Sequence, residues 1–277
     1  MNRLNSIEAV EKVYETGCRP LLVHASDLNF YVCKYHILGK SADKLFREYV
    51  AASFAKEWGI RVPEFSAVTL RKDHLPPELG IRSINLKYPC FGSLYNREYK
   101  EIDQFLYAMS NYEKRKFANP NEFLTIAFFD LWLSNEDRHS GNFNLFLSVE
   151  DDGTHLVAFD HESIFNNGNL ERGLTVLTEE ETLLSSPLLL RIFSRKELAD
   201  QDRVALLKKK WYVSINQCKE VLETILGQTP NEWHIDLETQ LSLMREKLFS
   251  ERWLEECHQK YLEFIQFNFN KSHENNI

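Results

Sequence analysis

Asn135-Glu136-Asp137-Arg138-His139-Ser140-Gly141-Asn142-Phe143-Asn144 is the stretch that decides how this chain reads, together with Ala158-Phe159-Asp160-His161-Glu162 beyond it. Upstream, Pro120 stands at a first helical turn, and Phe123, Ile126, Ala127, Phe128, Leu131, Trp132 and Leu133 make a helix that is apolar on nearly every side. Such a helix belongs at the centre of a lobe. It halts before Ser134-Asn135 and delivers a dense polar group into a loop. Phe143–Val149 and His155–Phe159 then read as two short strands joined by the acidic glycine turn Glu150-Asp151-Asp152-Gly153, and the second strand ends on a further carboxylate, Asp160.

Phosphoryl transfer accounts for that grouping. Nucleotide phosphates need a divalent cation to neutralise their charge, and the acceptor hydroxyl needs a carboxylate to orient it and take its proton. Asp137 is then expected to face the acceptor, Asn142 to offer an amide oxygen to Mg²⁺, and Asp160 to supply the main metal carboxylate, a hard-oxygen set suited to that ion. The five-residue step from Asp137 to Asn142 lets one loop serve both sides of the transferring group. His139 either shapes the loop through a hydrogen bond to Asp160 or a backbone carbonyl, or is a satisfied core residue. Arg138 can balance carboxylate charge, and Asn144 is a metal ligand only in a different register. A zinc reading of His139, Asp160 and His161 lacks a cysteine pair, and a serine hydrolase reading lacks a Gly-x-Ser-x-Gly elbow.

The first 90 or so residues carry most of the strand signals. Leu21-Leu22-Val23 and Phe30–Tyr35 flank an Asp27-Leu28-Asn29 turn, which predicts a hairpin with Lys34 inside its second strand. Ser41 or Asp43 can cap a helix through Leu45, Phe46, Tyr49, Val50, Ser53, Phe54 and Trp58 that ends at Gly59, with Glu48 beside its apolar stripe. A second extended region runs from Phe65 to Leu70, and Pro76-Pro77 with Gly80 suggests a surface excursion. Pro89–Ser93 reads as the linker between lobes, because a proline and a glycine fall where strand character gives way to helix. Further on, Pro187 and Gly227 divide the helical remainder, Thr229-Pro230-Asn231-Glu232 has the form of a capping box, and residues after Asn268 read as a frayed tail. The expected fold is α+β and two-lobed: a small β-rich lobe over residues 1–90, a mainly helical lobe over 91–268 and a tail over 269–277.

The loop resembles that of the HipA-like branch of the kinase superfamily, and also the catalytic loop of phosphatidylinositol 3- and 4-kinases, through the pattern Asn-x-Asp-x-His-x-x-Asn matched by Asn135, Asp137, His139 and Asn142. Tyr31-Val32-Cys33-Lys34 resembles the family's phosphate-lysine strand. Phe46-Arg47-Glu48-Tyr49 resembles its Asn-Glu-Tyr helix with Arg47 in place of asparagine, and Gly59–Pro63 resembles its Gly-Leu-Pro-Val-Pro turn. The resemblance covers about residues 17 to 165. It implies a protein-kinase-like fold, ATP and Mg²⁺ as cofactors, Asp137 as the catalytic aspartate with Lys34 and His139, and Asn142 and Asp160 as metal ligands. Lys34 would pair the ATP phosphates while Glu48 holds its ammonium, although a plain salt bridge is the other reading of that pair. The turn Thr16-Gly17-Cys18-Arg19-Pro20 stands where a glycine-rich loop belongs, so that Gly17 and Arg19 are the phosphate-contacting candidates. His161-Glu162 replaces the Phe-Gly that follows the metal aspartate in ordinary protein kinases, which argues against an ordinary activation switch.

The function implied is a serine/threonine protein kinase. The alternatives are a weak or inactive ATP-binding, toxin–antitoxin-type interaction module, and a kinase of a small-molecule hydroxyl. A protein acceptor and a helix-turn-helix antitoxin-like partner are further implications of the resemblance. The chain's 277 residues carry 33 basic against 41 acidic side chains and a net charge of −8, so direct nucleic-acid binding is not expected. The basic runs Lys114-Arg115-Lys116 and Lys208-Lys209-Lys210 read as solvated helix faces. Five scattered cysteines without a CxxC pair, no basic-then-apolar leader and no apolar stretch of bilayer length lead to the expectation of a cytoplasmic protein away from membranes.

Overall fold

The computed structural model describes residues 1–77, 84–102 and 117–274, with side chains through residue 266. Gly80, Lys114, Arg115, Lys116 and the last three residues of the expected tail lie outside the described residues. The chain forms two units, one of residues 1–50, 63–97 and 223–237, the other of residues 51–62, 98–222 and 238–277. The first is built on a mixed sheet and the second is mainly helical, the two-lobed α+β fold expected from the sequence.

In the first unit six strands, β1 (Asn2–Asn5), β2 (Lys12–Val13), β3 (Leu21–His24), β4 (Phe30–Lys34), β5 (Phe65–Thr69) and β6 (Cys90–Leu94), lie in the order β1-β5-β6-β4-β3-β2. Only β1 and β5 run parallel. The β3–β4 hairpin closes as its sequence predicts. Asp27 accepts the Asn29 N–H at 3.2 Å and the Tyr31 hydroxyl at 2.7 Å, while Leu28 takes a left-handed φ of 66°. Tyr31 and Cys33 are buried on one face of β4, so the alternation of a pleated strand puts Lys34 on the other.

The segment expected to link the lobes is not a linker. Cys90–Leu94 is β6, paired between β4 and β5. Its Gly92 is required by packing and not by flexibility, since a Cβ there would meet Val68 Cγ2 at 2.7 Å and Cys33 Sγ at 3.2 Å. The helix α1 (Asp43–Glu57) starts where the Ser41 hydroxyl accepts the Asp43 N–H, and it ends at Gly59 with φ 66°. Residues 223–237 join the same unit through the Tyr49 hydroxyl, which donates to the Ile225 carbonyl at 2.8 Å, and the Trp233 indole, which donates to the Pro89 carbonyl at 2.8 Å. The capping box expected at Thr229–Glu232 does not form. Glu232 is held by a two-pronged ion pair to Arg3, at 2.5 and 2.8 Å, and the buried Thr229 hydroxyl makes no hydrogen bond among the described residues.

The second unit is organised around α2 (Asn121–Leu133), buried at every position from Phe123 to Leu133. Trp58, Trp211 and Tyr261 pack around its Phe128 and Trp132, with Phe128 and Trp211 stacked at 4.2 Å. A second sheet orders β7 (Lys100–Glu101), β8 (Leu145–Glu150) and β9 (Gly153–Ala158). The expected hairpin is β8–β9, turning at Gly153. Beyond it lie α3 (Pro187–Ile192), α4 (Arg195–Leu198), α5 (Gln201–Gly227), α6 (Leu237–Leu243) and α7 (Glu251–Glu274). Trp253, Cys257 and Tyr261 line the buried side of α7.

Helix ends leave carbonyls without intrahelical partners. At the end of α2 the turn itself takes two of them, the Asn135 N–H donating to Asp130 O at 2.9 Å and the Ser134 N–H to Leu131 O at 3.3 Å, and α7 adds to these: the Trp253 indole donates to Trp132 O at 2.9 Å and the Cys257 thiol lies 3.5 Å from Leu131 O. The Trp132 indole in turn donates to Leu248 O at 3.0 Å. The helix that launches the polar loop is therefore fixed at the end where the loop begins.

Candidate functional site

Ser134, the C-cap of α2, is left-handed at φ 48°, which turns the chain out of the helix and into the loop. The loop then closes on itself. His139 and Asn142 exchange backbone hydrogen bonds at 3.0 Å in both directions around Ser140-Gly141. The His139 ring accepts the Gly141 N–H on Nδ1 at 3.1 Å, a partner the sequence did not suggest, which assigns the ring proton of the neutral form to Nε2. A Cβ on Gly141 would sit 3.2 Å from His139 Cε1, so this close turn favours glycine.

Asn142 and Asn144 both donate their Nδ2 groups to the Asp137 carbonyl, at 3.1 and 3.2 Å. That use of Nδ2 fixes the amide plane of Asn142 and leaves Oδ1 as its acceptor atom. Asn144 is left-handed at φ 47°, and its own carbonyl accepts the Phe159 N–H at 3.1 Å. Asp137, Asn142 and the strand end that carries Asp160 thus belong to one hydrogen-bonded assembly.

Asp160 follows β9 with a left-handed φ of 55°, a conformation that short polar side chains tolerate better than most. Its carboxylate and that of Glu162 lie within 4.8 Å of each other, both half-buried. Two carboxylates so placed repel each other unless a cation lies near. With the Asn142 amide oxygen they offer hard donors of the type that suits Mg²⁺. His161 is buried edge-on against Phe129 at 6.3 Å, and Phe159 stacks on Phe146 at 3.9 Å. Downstream, Phe165, Asn166 and Asn167 are all left-handed, at about 1–2 kcal/mol per residue. Offsetting bonds run from the Asn166 N–H to Ser134 O (3.2 Å), from the Thr175 N–H to Asn166 Oδ1 (2.9 Å) and from the Ser134 hydroxyl to Thr175 O (2.7 Å). The chain after Asp160 is thereby pinned to the start of the loop.

Beneath the loop lies an ion pair that the sequence did not reveal. Asp130, the one charged residue in the interior of α2, accepts from Arg138 at 2.5 Å and from the Asn135 amide at 2.8 Å, and Arg138 also donates to Phe159 O at 2.7 Å. Asp130 and Arg138 are 1% and 0% exposed. Burial pushes the Asp130 carboxyl above its ordinary range, against the pull of Arg138 and Asn135. The missed signal was a lone carboxylate between Phe128-Phe129 and Leu131-Trp132, since an unpaired charge there would be prohibitive.

In the first unit, Lys34 closes β4 opposite Phe91, and its ammonium pairs with the Glu48 carboxylate of α1. Both are shielded, at 15% and 3% side-chain exposure. Gly17 and Arg19 lie on the turn between β2 and β3, where the Arg19 N–H donates to Thr16 O at 2.9 Å. The Arg19 guanidinium is 3.3 Å from Glu15, and its backbone is left-handed at φ 48°.

Residues 7–262 match the sequence profile of the family described as HipA-like kinase. Among solved structures, the chain is similar to the Helicobacter pylori proinflammatory kinase CtkA at 14% identity and a TM-score of 0.51, covering 94% of this chain and 98% of that one. A chain of the Shewanella oneidensis MR-1 HipA, HipB and operator DNA toxin–antitoxin complex aligns at 12% identity with a TM-score of 0.48, covering 94% of this chain and 67% of that one. No curated protein matches the chain in sequence. A match that runs through both units, the Lys34 strand and the Asp137 loop alike, leads to one conclusion: this chain belongs to the HipA-like kinase family.

Proposed function

We propose that the chain is an ATP- and Mg²⁺-dependent phosphotransferase whose acceptor is a serine or threonine hydroxyl of a protein. The observation that carries this reading is the convergence of Asn142 and Asn144 on the Asp137 carbonyl while Asn144 and Arg138 grip Phe159, so that one assembly holds the segments bearing Asp137, Asn142 and Asp160. Membership of the HipA-like kinase family supports it.

In this reading the Asp137 carboxylate orients the acceptor hydroxyl and receives its proton as the oxygen bonds to the γ-phosphorus of ATP. The bond from that phosphorus to the β–γ bridging oxygen breaks, and ADP leaves with the electron pair. Asn142 and Asp160 hold Mg²⁺, with Glu162 beside them, and the ion supplies charge neutralisation for the phosphates. Lys34, steadied by Glu48, pairs the phosphates further from the transferred group. Gly17 and Arg19 contact phosphate from their turn, Arg19 exchanging Glu15 for the nucleotide. His139 shapes the loop without touching the proton that moves. The loop's likeness to phosphatidylinositol kinases concerns this same chemistry. A helix-turn-helix antitoxin-like partner follows from the family and belongs to the same proposal.

The test is phosphate transfer from ATP to protein acceptors with and without Mg²⁺, comparing the native chain with Asp137→Ala, Asp160→Ala and Lys34→Met. Metal-dependent transfer lost in Asp137→Ala and Asp160→Ala supports the reading. Nucleotide binding without transfer to any protein or small-molecule hydroxyl, in the native chain, replaces it with an ATP-binding interaction module.

A further inference from the structure

We infer that Asp130 is a positioning residue: through Arg138 it fixes the Phe159 carbonyl, and with it the placement of Asp160 beside the Asp137–Asn142 loop. This deepens the phosphotransferase reading and rests on it for its meaning, but the geometry can be tested without it.

A buried ion pair gains little over an apolar pair of the same volume, because both charges lose their water. This one is incompletely satisfied as well: Asp130 Oδ2, Asn135 Oδ1 and Arg138 Nε have no hydrogen-bond partner among the described residues. Polar atoms left so at the end of an otherwise apolar helix lower stability. A core built for stability alone would use leucine and methionine here.

An apolar pair cannot donate a hydrogen bond to a carbonyl, and that is what Arg138 does. Its planar fork spans Asp130 with one amino group and Phe159 O with the other. The N–H of Phe159 goes to Asn144 O. Both backbone polar groups of Phe159 are therefore tied to the catalytic-loop stretch, to Arg138 within the Asp137–Asn142 segment and to Asn144 just past it, and the next residue is the left-handed Asp160. Asp130 itself hangs from α2, whose end is held by Trp253 and Cys257, so the position of Asp160 is referred to a helix buried from Phe123 to Leu133. The charge of Arg138 is also met inside the chain. No phosphate on a neighbouring segment is needed to hold it, in contrast to kinases whose loop arginine waits for one.

The experiment separates packing from positioning. Asp130→Leu/Arg138→Met replaces both charges by apolar side chains, and Asp130→Asn breaks the pair alone. Thermal midpoints, amide hydrogen exchange at Phe159 and Asp160, and phosphotransfer are measured for each. The double variant is expected to melt within about 3 °C of the native chain and above Asp130→Asn. Its Phe159 and Asp160 amides are expected to exchange at least about 10-fold faster than native, and its kcat to fall about 100-fold with KM for ATP changed less than about 3-fold. Native exchange at those two amides in the double variant overturns the inference. If the double variant fails to fold, Arg138→Lys, which keeps the charge but not the fork, is read by the same exchange criterion. A native chain that transfers no phosphate defeats the phosphotransferase reading, while the exchange rates still decide the positioning claim.

Discussion

Replacing Trp253 by phenylalanine removes one hydrogen bond at the end of α2 and little else. The indole donates to the Trp132 carbonyl at 2.9 Å, and Trp253 is buried. Leaving that carbonyl buried and unpaired costs about 1–3 kcal/mol. The smaller ring adds a void worth about 1 kcal/mol at roughly 24 cal/mol per Å³. The sum, about 2–4 kcal/mol, lowers the thermal midpoint of a unit of this size by about 6–12 °C. Trp211→Phe is the matched control. That indole is also buried, but it reaches only the Thr125 hydroxyl at 3.5 Å, a long contact to a group that can rotate to another partner. It should therefore show the void alone, about 3 °C. Calorimetric scans of the two variants beside the native chain decide the matter. Equal shifts would refute the claim that α7 holds the helix end by capping its carbonyls.

Three further outcomes follow from the same contacts. Gly141→Ala pushes a Cβ to 3.2 Å from the His139 ring, so turnover should drop about 10-fold while the thermal midpoint moves by less than about 3 °C, read by kcat and calorimetry. His155 is buried between Glu122 at 2.8 Å and Asp152 at 2.9 Å, with Arg61 nearby; burial alone would lower its pKa, but the two carboxylates outweigh burial and Arg61 and raise it. Its contribution to stability is thus full below its ordinary value near 6.5 and is lost as pH rises through the raised one, so the melting gap between native and His155→Gln should be widest near pH 6 and shrink toward pH 9, whereas a constant gap would contradict it. Because Asp130 already neutralises Arg138, protein freed of phosphate by phosphatase treatment should transfer phosphate within about 2-fold of the untreated rate in a steady-state assay.

Much of the architecture is local, and for that reason legible. The β3–β4 hairpin, α1 from Ser41 to Gly59 and the β8–β9 hairpin are each decided by turn residues and side-chain periodicity within one segment. What escaped depends on distant partners. Gly92 looks like a linker glycine until Val68 and Cys33 are brought against it by the sheet. Thr229–Glu232 and Ser194–Glu197 share one capping pattern, yet only the second caps, because Glu232 is claimed by Arg3, 229 residues away in sequence. In the candidate site, the motif residues could be named from spacing, whereas the carbonyls of Asp137 and Phe159 that organise them carry no sequence signal. Asp130 stood in the sequence as a charge within an apolar helix and was passed over, because its meaning depends on Arg138. Glu162 was passed over because the motif stops at Asp160.

The proposed phosphotransfer requires Asp160 and Asn142 to hold a divalent cation against nucleotide phosphate. Calorimetric titration of a non-hydrolysable ATP analogue into the native chain and Asp160→Asn, with and without Mg²⁺, tests it most directly. Mg²⁺ should raise the native affinity by at least about 10-fold, the equivalent of about 1.4 kcal/mol, and by no more than about 2-fold in Asp160→Asn. A native affinity indifferent to Mg²⁺, or an undiminished Mg²⁺ effect in the variant, would contradict it.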